Sequence, residues 1–160
     1  MDSIKILNHL AGGVPVTIED DFSQSDPSLV MGQNITLTDD QAMHYVHDRM
    51  NVGDGTNECR MRRQKAYVDA LFPLYKAKLQ ADSGFVNEFY NDLSDYMVTD
   101  MGKDLYLKIA MDALGSGNLS SENFYTIPGT GETTESFDVY HADRNMAIPI
   151  LLNLFYREDK

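Results

Sequence analysis

Glycine-rich breaks cut the 160-residue chain into short segments, and these breaks limit what it can fold into. They lie at Gly12-Gly13, Gly53-Asp54-Gly55, Gly115-Ser116 and Pro128-Gly129. Between them, apolar residues recur at helical spacing in most segments and alternate in a few. No segment reaches the run of about 18 apolar residues that a membrane-spanning helix requires. The sequence therefore predicts short helices and short strands, combined in a single α/β domain over residues 1–160.

Helical patterns outnumber strand patterns along the chain. Helices are predicted over 2–11, from Thr38 to Arg49, from Thr56 or Asn57 onward with a kink or break near Phe72, over 85–96, over 105–113 and from Asp143 to Phe155. Strands are predicted over 14–18, 35–37, 124–127 and 137–141, and Pro128 to Thr133 is interpreted as a turn. Thr38 and Gln41 have the spacing of a capping box. These elements favour a small sheet, which need not be complete, with five or six helices packed on it.

Charge is distributed unevenly along the chain. The net charge of −12 disfavours nonspecific nucleic-acid binding through a basic surface. Six of the 13 basic residues nevertheless lie between positions 60 and 78, where Asp69 is the only acid. A basic stretch of this kind in an acidic protein indicates a local anion site. The alternative is an ordinary solvated helix face, which the same composition would also give.

Arg60-x-x-Arg63-Gln64 is the strongest chemical motif in this stretch. Positions i, i+3 and i+4 share one face of a helix, so two guanidinium groups and one amide would project together. The motif lies near a predicted helix start, where free N–H groups and the helix dipole favour anions. Because arginine binds phosphate oxygens in a bidentate manner, the motif predicts a phosphate or pyrophosphate ligand. Weak surface ion pairs are the alternative interpretation.

A second polar group precedes the glycine-rich break at 53–55. His47 and Arg49 lie near the end of the predicted second helix, and Arg49 would join the anion site if that end faces Arg60. His44 and His47 have the spacing of a metal-binding pair on one helical face. No third ligand stands near them in the sequence, and Cys59 beside Arg60 is poorly suited. No metal site is therefore predicted.

Three segments in order resemble the LytR-CpsA-Psr family of bacterial cell-envelope proteins. Leu7 to Val16, with Gly12-Gly13-Val14, is similar to the family's helix, GGV turn and strand. Leu37-Thr38-x-x-Gln41-Ala42-x-x-Tyr45-Val46-x-x-Arg49 is similar to its LxGxxALxYxRxR segment, and Arg60-x-x-Arg63-Gln64 to its RxxRQ segment. On this resemblance, residues 1–80 correspond to the second half of the family's domain, and residues 81–160 to its C-terminal extension.

The resemblance implies a function. Such proteins are phosphotransferases that move a glycopolymer from a polyprenyl pyrophosphate carrier to peptidoglycan, outside the cell membrane and with a divalent ion such as Mg²⁺. By position, Arg49, Arg60 and Gln64 match residues that hold the pyrophosphate, with Arg63 beside them and His47 as a further candidate. The resemblance also implies an apolar tunnel for the lipid and an extracytoplasmic location, although the chain has no recognisable signal peptide or anchor.

Two departures from the family pattern bear on activity. His47 occupies the position of the first arginine in the family's LxGxxALxYxRxR segment, so the charge there depends on pH. The family's N-terminal half, with its acidic metal ligands, has no counterpart in the chain, so Mg²⁺ ligands are not assigned and complete catalysis is not expected. The alternatives are a non-catalytic module for polyprenyl phosphate or another anionic lipid, and a structural or regulatory protein. The latter would pair with a second copy or another chain through an exposed sheet edge.

Overall fold

The computed structural model describes residues 2–116, 124–135 and 137–156. Within these ranges the chain forms six helices and two antiparallel sheets of two strands each, which confirms the predicted mixture of helices with small sheets. The chain divides into two compact units, residues 1–119 and 120–160. The predicted division near residue 80 concerns the family's domain and stays a prediction.

The first unit contains five of the helices and one of the sheets. Its elements are α1 (Asp2–Ala11), β1 (Pro15–Thr17), β2 (Asn34–Thr36), α2 (Asp39–His47), α3 (Asn57–Ala81), α4 (Phe85–Ser94) and α5 (Lys103–Gly115). The second unit contains β3 (Gly129–Thr133), β4 (Asp138–Ala142) and α6 (Arg144–Phe155). Within the described ranges, no helix is both long enough and apolar enough to cross a membrane.

The core of the first unit is built on the pairing of β1 with β2, where Val16 lies opposite Ile35. The alternation of β1 continues beyond the strand at both ends, so Val14, Ile18 and Phe22 are completely buried. These side chains share one core with residues from α1 to α4, among them Leu10, Tyr45, Tyr67, Leu71 and Phe85. Each large side chain buried in this way contributes about 1.5–3 kcal/mol to folding.

A buried amide fixes α2 relative to α1. Asn8 in α1 is 1% exposed, and its Nδ2 donates to Leu37 O at 3.0 Å and to Asp39 Oδ1 at 2.8 Å. Its Oδ1 accepts the Val14 N–H at 3.1 Å. The predicted capping box of α2 is also confirmed, because Thr38 and Gln41 exchange backbone-to-side-chain hydrogen bonds of 3.0 and 3.3 Å. The start of α2 is thus held by its own cap and by Asn8.

Helix α3 continues past Pro73 to Ala81, so of the kink or break predicted near Phe72, the break is wrong. Pro73 removes one helical hydrogen bond, at a cost of about 3 kcal/mol in a helix interior. The packing on both sides of the proline offsets this cost. Leu71 and Tyr75 are buried, and the Tyr75 hydroxyl donates to Leu7 O at 2.7 Å. Tertiary contacts on both sides of Pro73 therefore stabilise α3 as one continuous helix.

In the second unit, the segment predicted as a turn is a strand, and the segment predicted as a strand just before it is not. Gly129–Thr133 is strand β3, paired with β4, whereas 124–127 has no regular structure. The close pairing requires glycine at position 129, because a Cβ there would lie 2.3 Å from His141 O. Backbone pairing with β4 therefore outweighs the low strand propensity of glycine. Helix α6 begins as predicted, with Asp143 accepting hydrogen bonds from the Asn145 and Met146 N–H groups.

Asn8→Ala is expected to lower the free energy of unfolding by about 3 kcal/mol, because Val14 N–H and Leu37 O lose their partner inside the core. Urea unfolding followed by circular dichroism measures this change. Asn87→Ala is the matched control, since Asn87 lies exposed in α4, and it should change the same quantity by less than about 0.5 kcal/mol. Equal effects of the two variants would contradict the role assigned to Asn8.

Candidate functional site

The C-terminal end of α2 and the first turns of α3 meet at a site that we call the α2–α3 junction (residues 45–49 and 59–64). The last carbonyls of a helix have no partner within it. Here two side chains of α3 supply the missing donors. Arg63 Nε donates to Tyr45 O at 2.9 Å, Arg63 Nη2 donates to Asp48 O, and Gln64 Nε2 donates to Val46 O at 3.2 Å. The RxxRQ motif thus caps α2 from the neighbouring helix.

Arg63 lies inside this junction rather than on its surface. The residue is 2% exposed, and its Nη1 donates to Asp20 Oδ2 at 2.9 Å. Its guanidinium carbon lies 5.2 Å from the centre of the Phe22 ring, a cation–π contact. All three guanidinium nitrogens therefore point at protein groups. The predicted contact between Arg63 and a pyrophosphate stays a prediction.

Asp20 is the carboxylate that balances this buried charge. Its second oxygen, Oδ1, accepts from Arg62 Nη2 at 2.5 Å. Burial raises the pKa of Asp20, but hydrogen bonds from Arg63 and Cys59 and the charges of both arginines outweigh burial, so its pKa lies below the ordinary value. The sequence analysis missed this role. The signal was present, because Asp20 continues the inward alternation of residues 14, 16 and 18 up to Phe22.

Arg49 and Arg60, two other predicted anion-binding residues, belong to the two segments that Arg63 and Gln64 hold together. Arg60 lies one turn before Gln64, and its Nη2 donates to Asn57 Oδ1 at 2.7 Å. Its Nε is buried and makes no hydrogen bond to the residues that the structure describes. Arg49 follows the carbonyl bound by Arg63 and is half-buried, and His47, in the last turn of α2, is exposed. That Arg49, Arg60, Gln64 and His47 form one anion site stays a prediction.

Asp48 organises the polar side of α2. Its carboxylate accepts a hydrogen bond from Ser25 Oγ and lies 2.8 Å from His44 Nδ1 and 3.2 Å from His47 Nδ1. Burial raises the pKa of Asp48, but these hydrogen bonds outweigh burial and hold it below the ordinary value. The sequence analysis paired the two histidines as a metal alternative and missed their shared carboxylate.

Within the ranges that the structure describes, no three His, Cys, Asp or Glu side chains are grouped so that they alone could hold a metal ion. Mg²⁺ in sites of phosphate chemistry is usually held by one or two carboxylates together with phosphate oxygens of the substrate. The Mg²⁺ requirement implied by the family stays a prediction.

An apolar groove of about 450 Å³ lies between α1, α3, α4 and α5. It is lined by aliphatic and aromatic side chains: Leu7, Leu71, Phe72, Tyr75, Phe85, Val86, Phe89, Met101, Tyr106, Ile109, Ala110 and Ala113. Helix α3 contributes residues to both this groove and the α2–α3 junction. At a rise of 1.5 Å per residue, Arg60 and Leu71 are separated by roughly 16 Å along the helix axis.

Comparison with known proteins gives a family and a fold. The model of the LytR_cpsA_psr family matches residues 1–151. The crystal structure of the Lin1025 protein from Listeria innocua is similar, with a TM-score of 0.58 and 21% sequence identity. The matched region covers 96% of this chain and 65% of the Lin1025 chain, so this chain spans less than two thirds of that structure's length. No curated protein matches significantly.

Arg63→Met is expected to lower the free energy of unfolding by about 3 kcal/mol, because buried Asp20 Oδ2 and two carbonyls at the end of α2 lose the donors that Arg63 supplies. Arg62→Met removes the same charge from a side chain that is 55% exposed, and it should cost about 1 kcal/mol or less. Urea unfolding of both variants at neutral pH provides the comparison. If Arg62→Met were as costly as Arg63→Met, the buried guanidinium would not be what holds the junction.

The pKa directions of Asp20 and Asp48 predict sensitivity to acid. A carboxylate with a lowered folded-state pKa adds stability above its unfolded pKa, and this is lost as the pH falls through the folded-state value. We expect the free energy of unfolding to fall below about pH 4. Asp48→Asn should flatten that fall, whereas Asp92→Asn, at an exposed site in α4, should not. Urea unfolding at several pH values tests this, and parallel curves for the two variants would contradict it.

Proposed function

The chain belongs to the LytR-CpsA-Psr family of cell-envelope proteins, and on this premise we propose that it binds a polyprenyl pyrophosphate carrier at the α2–α3 junction. The observation that carries the proposal is the layout of α3. Its first turns bring arginines to the junction, and its middle turns line the apolar groove. A ligand with a charged head and an apolar chain matches this succession of polar and apolar surfaces.

In the proposed complex, Arg49 and Arg60 contact the pyrophosphate, with His47 beside them. Charge-assisted hydrogen bonds from guanidinium groups to phosphate oxygens are short and strong. Arg63 and Gln64 hold the end of α2 in place through Tyr45 O, Asp48 O and Val46 O. The buried Nε of Arg60, which has no partner among the described residues, is a donor that a ligand oxygen or a water molecule can satisfy.

The family's reaction extends this binding role. In transfer of a glycopolymer to peptidoglycan, a hydroxyl oxygen of the acceptor bonds to phosphorus and loses its proton to solvent. The bond from that phosphorus to the bridging oxygen breaks, and polyprenyl phosphate leaves with that oxygen. Arginines that neutralise the departing phosphate lower the barrier of such a step. We propose the carrier-binding part of this reaction for the chain, at the extracytoplasmic face of the membrane. A binding module without turnover is the second candidate, on the same observation.

Calorimetric titration with a short-chain polyprenyl pyrophosphate, with and without Mg²⁺, tests the head-group site. The double variant Arg49→Ala/Arg60→Ala should bind about a hundredfold more weakly, since it loses two charge-assisted contacts. Lys65→Ala/Lys78→Ala removes the same charge from α3 outside the junction and should bind like the parent protein. Absence of binding by the folded parent protein would overturn the proposal, as would equal losses in the two double variants.

The apolar groove is tested separately by filling it. Ala110→Phe places a ring among the groove-lining side chains and should weaken binding of the polyprenyl pyrophosphate at least about tenfold. Binding of inorganic pyrophosphate, which has no apolar chain, should not change. Ala77→Phe, at an exposed position of α3, serves as the control. If Ala110→Phe weakened both ligands equally, the groove would not be the site of the lipid chain.

A further inference from the structure

The three arginines at the start of α3 differ in the charge of their partners. Arg62 Nη2 and Arg63 Nη1 donate to the two oxygens of the Asp20 carboxylate, at 2.5 and 2.9 Å. Arg60 Nη2 donates instead to the amide oxygen of Asn57, at 2.7 Å. Among the described residues, Arg60 forms no ion pair with a carboxylate. The positive charge of Arg60 is therefore held in place by a neutral group.

The orientation of the Asn57 amide follows from the chemistry of its neighbours. Asn57 is the first residue of α3, and the cap of the helix is the preceding Thr56, whose Oγ1 accepts the Cys59 N–H at 3.2 Å. The Asn57 side chain is thus not needed as a cap. Its Oδ1 accepts from Arg60, and its Nδ2 donates to Met61 Sδ at 3.5 Å. A guanidinium has only donors and a thioether only accepts, so the reversed amide would lose both contacts.

The contact lies on the face of α3 that borders α2. Asn57, Arg60 and Gln64 follow one another at spacings of three and four residues, which places them on one side of the helix. Gln64 Nε2 donates to Val46 O at the end of α2. Of the Arg60 nitrogens, only Nη2 is used by a described group, since neither Nε nor Nη1 has a hydrogen-bond partner within the described ranges. Asn57 thus fixes the guanidinium and leaves Nη1 for a ligand.

An amide at position 57 has a different electrostatic effect from a carboxylate. Both accept a hydrogen bond from a guanidinium, but only the carboxylate carries a charge. A carboxylate would neutralise Arg60 and would repel any phosphate oxygen that approaches it. With the amide, Arg60 keeps its full positive charge. The attraction that this charge exerts grows with the charge of the ligand, so it favours a pyrophosphate over a monophosphate.

We propose that Asn57 is a positioning residue that orients Arg60 without neutralising it, and that it thereby sets a preference of the junction for polyprenyl pyrophosphate over polyprenyl phosphate. The second compound is the one that leaves after transfer, so the preference is for the loaded carrier over the spent one. This inference rests on the proposed function. It adds Asn57, to which the sequence analysis assigned no role.

The test is calorimetric titration of a short-chain polyprenyl pyrophosphate, and of the corresponding phosphate, into the parent protein and two variants. Asn57→Ala removes the acceptor and keeps the charge of Arg60, so affinity for the pyrophosphate should fall about threefold. Asn57→Asp keeps the acceptor and adds a negative charge, so the same affinity should fall at least about tenfold, and affinity for the phosphate should fall less. A purely structural anchor would give the opposite order, because aspartate preserves the hydrogen bond.

Gln80→Glu is the matched control. It makes the same change from amide to carboxylate at an exposed position near the end of α3, and it should bind both ligands like the parent protein. Urea unfolding provides a second readout. An acid in the first turn of a helix, paired with an arginine three residues later, is favourable. The urea midpoint of Asn57→Asp should therefore be at least that of the parent protein, although the variant binds more weakly.

The outcomes separate this inference from the proposed function. If Asn57→Asp bound the pyrophosphate like the parent protein, or more tightly than Asn57→Ala, the inference would be overturned and the proposed function would stand. Equal losses for both ligands would overturn the preference assigned to Asn57. A lower urea midpoint for Asn57→Asp would attribute its weaker binding to the fold and would also overturn the inference. Absence of binding of either ligand by the folded parent protein would overturn both proposals.

Discussion

The buried guanidinium of Arg63 is the group on which the rest of the site depends. It neutralises Asp20, lies against Phe22 and donates to carbonyls at the end of α2. A buried charge without a partner is costly, so the loop that carries Asp20, the end of α2 and the start of α3 are tied to one another. Gln64, the next residue, donates to Val46 O at the same helix end.

Helix α3 contributes both a polar surface and an apolar surface to the site. The first turns of α3 are polar and border the end of α2, and its later turns join the aromatic cluster of Tyr75, Phe85 and Phe89. The helical rise of 1.5 Å per residue sets the distance along the chain between the two regions. A protein that needs to hold an amphiphile can therefore do so with one long helix and the elements packed along it.

The sequence predicted the local structure correctly where one short-range pattern, such as a helix cap or an apolar alternation, determines it. The capping box at Thr38 and the alternation around Val16 both correspond to observed features. Where distant contacts decide, the sequence was less informative: α3 does not break near Phe72, because packing on both sides of Pro73 stabilises it, and Gly129 begins a strand rather than a turn, because it pairs with β4. For the site, spacing identified Arg60, Arg63 and Gln64 as one group. It could not reveal that two of them cap α2, because that depends on how two helices meet.

The proline inside α3 has a mechanical consequence. Pro73 has no N–H to donate, so the carbonyl of Asp69 lacks its helical partner, and one rung of the hydrogen-bond ladder is missing. That rung lies between the turns that border α2 and the turns around Tyr75. Bending stiffness is lowest where a rung is missing, so flexing of the long helix concentrates there. A bend at Pro73 therefore changes the direction of the polar turns relative to the turns around Tyr75 and leaves the hydrogen bonds within each half of the helix intact.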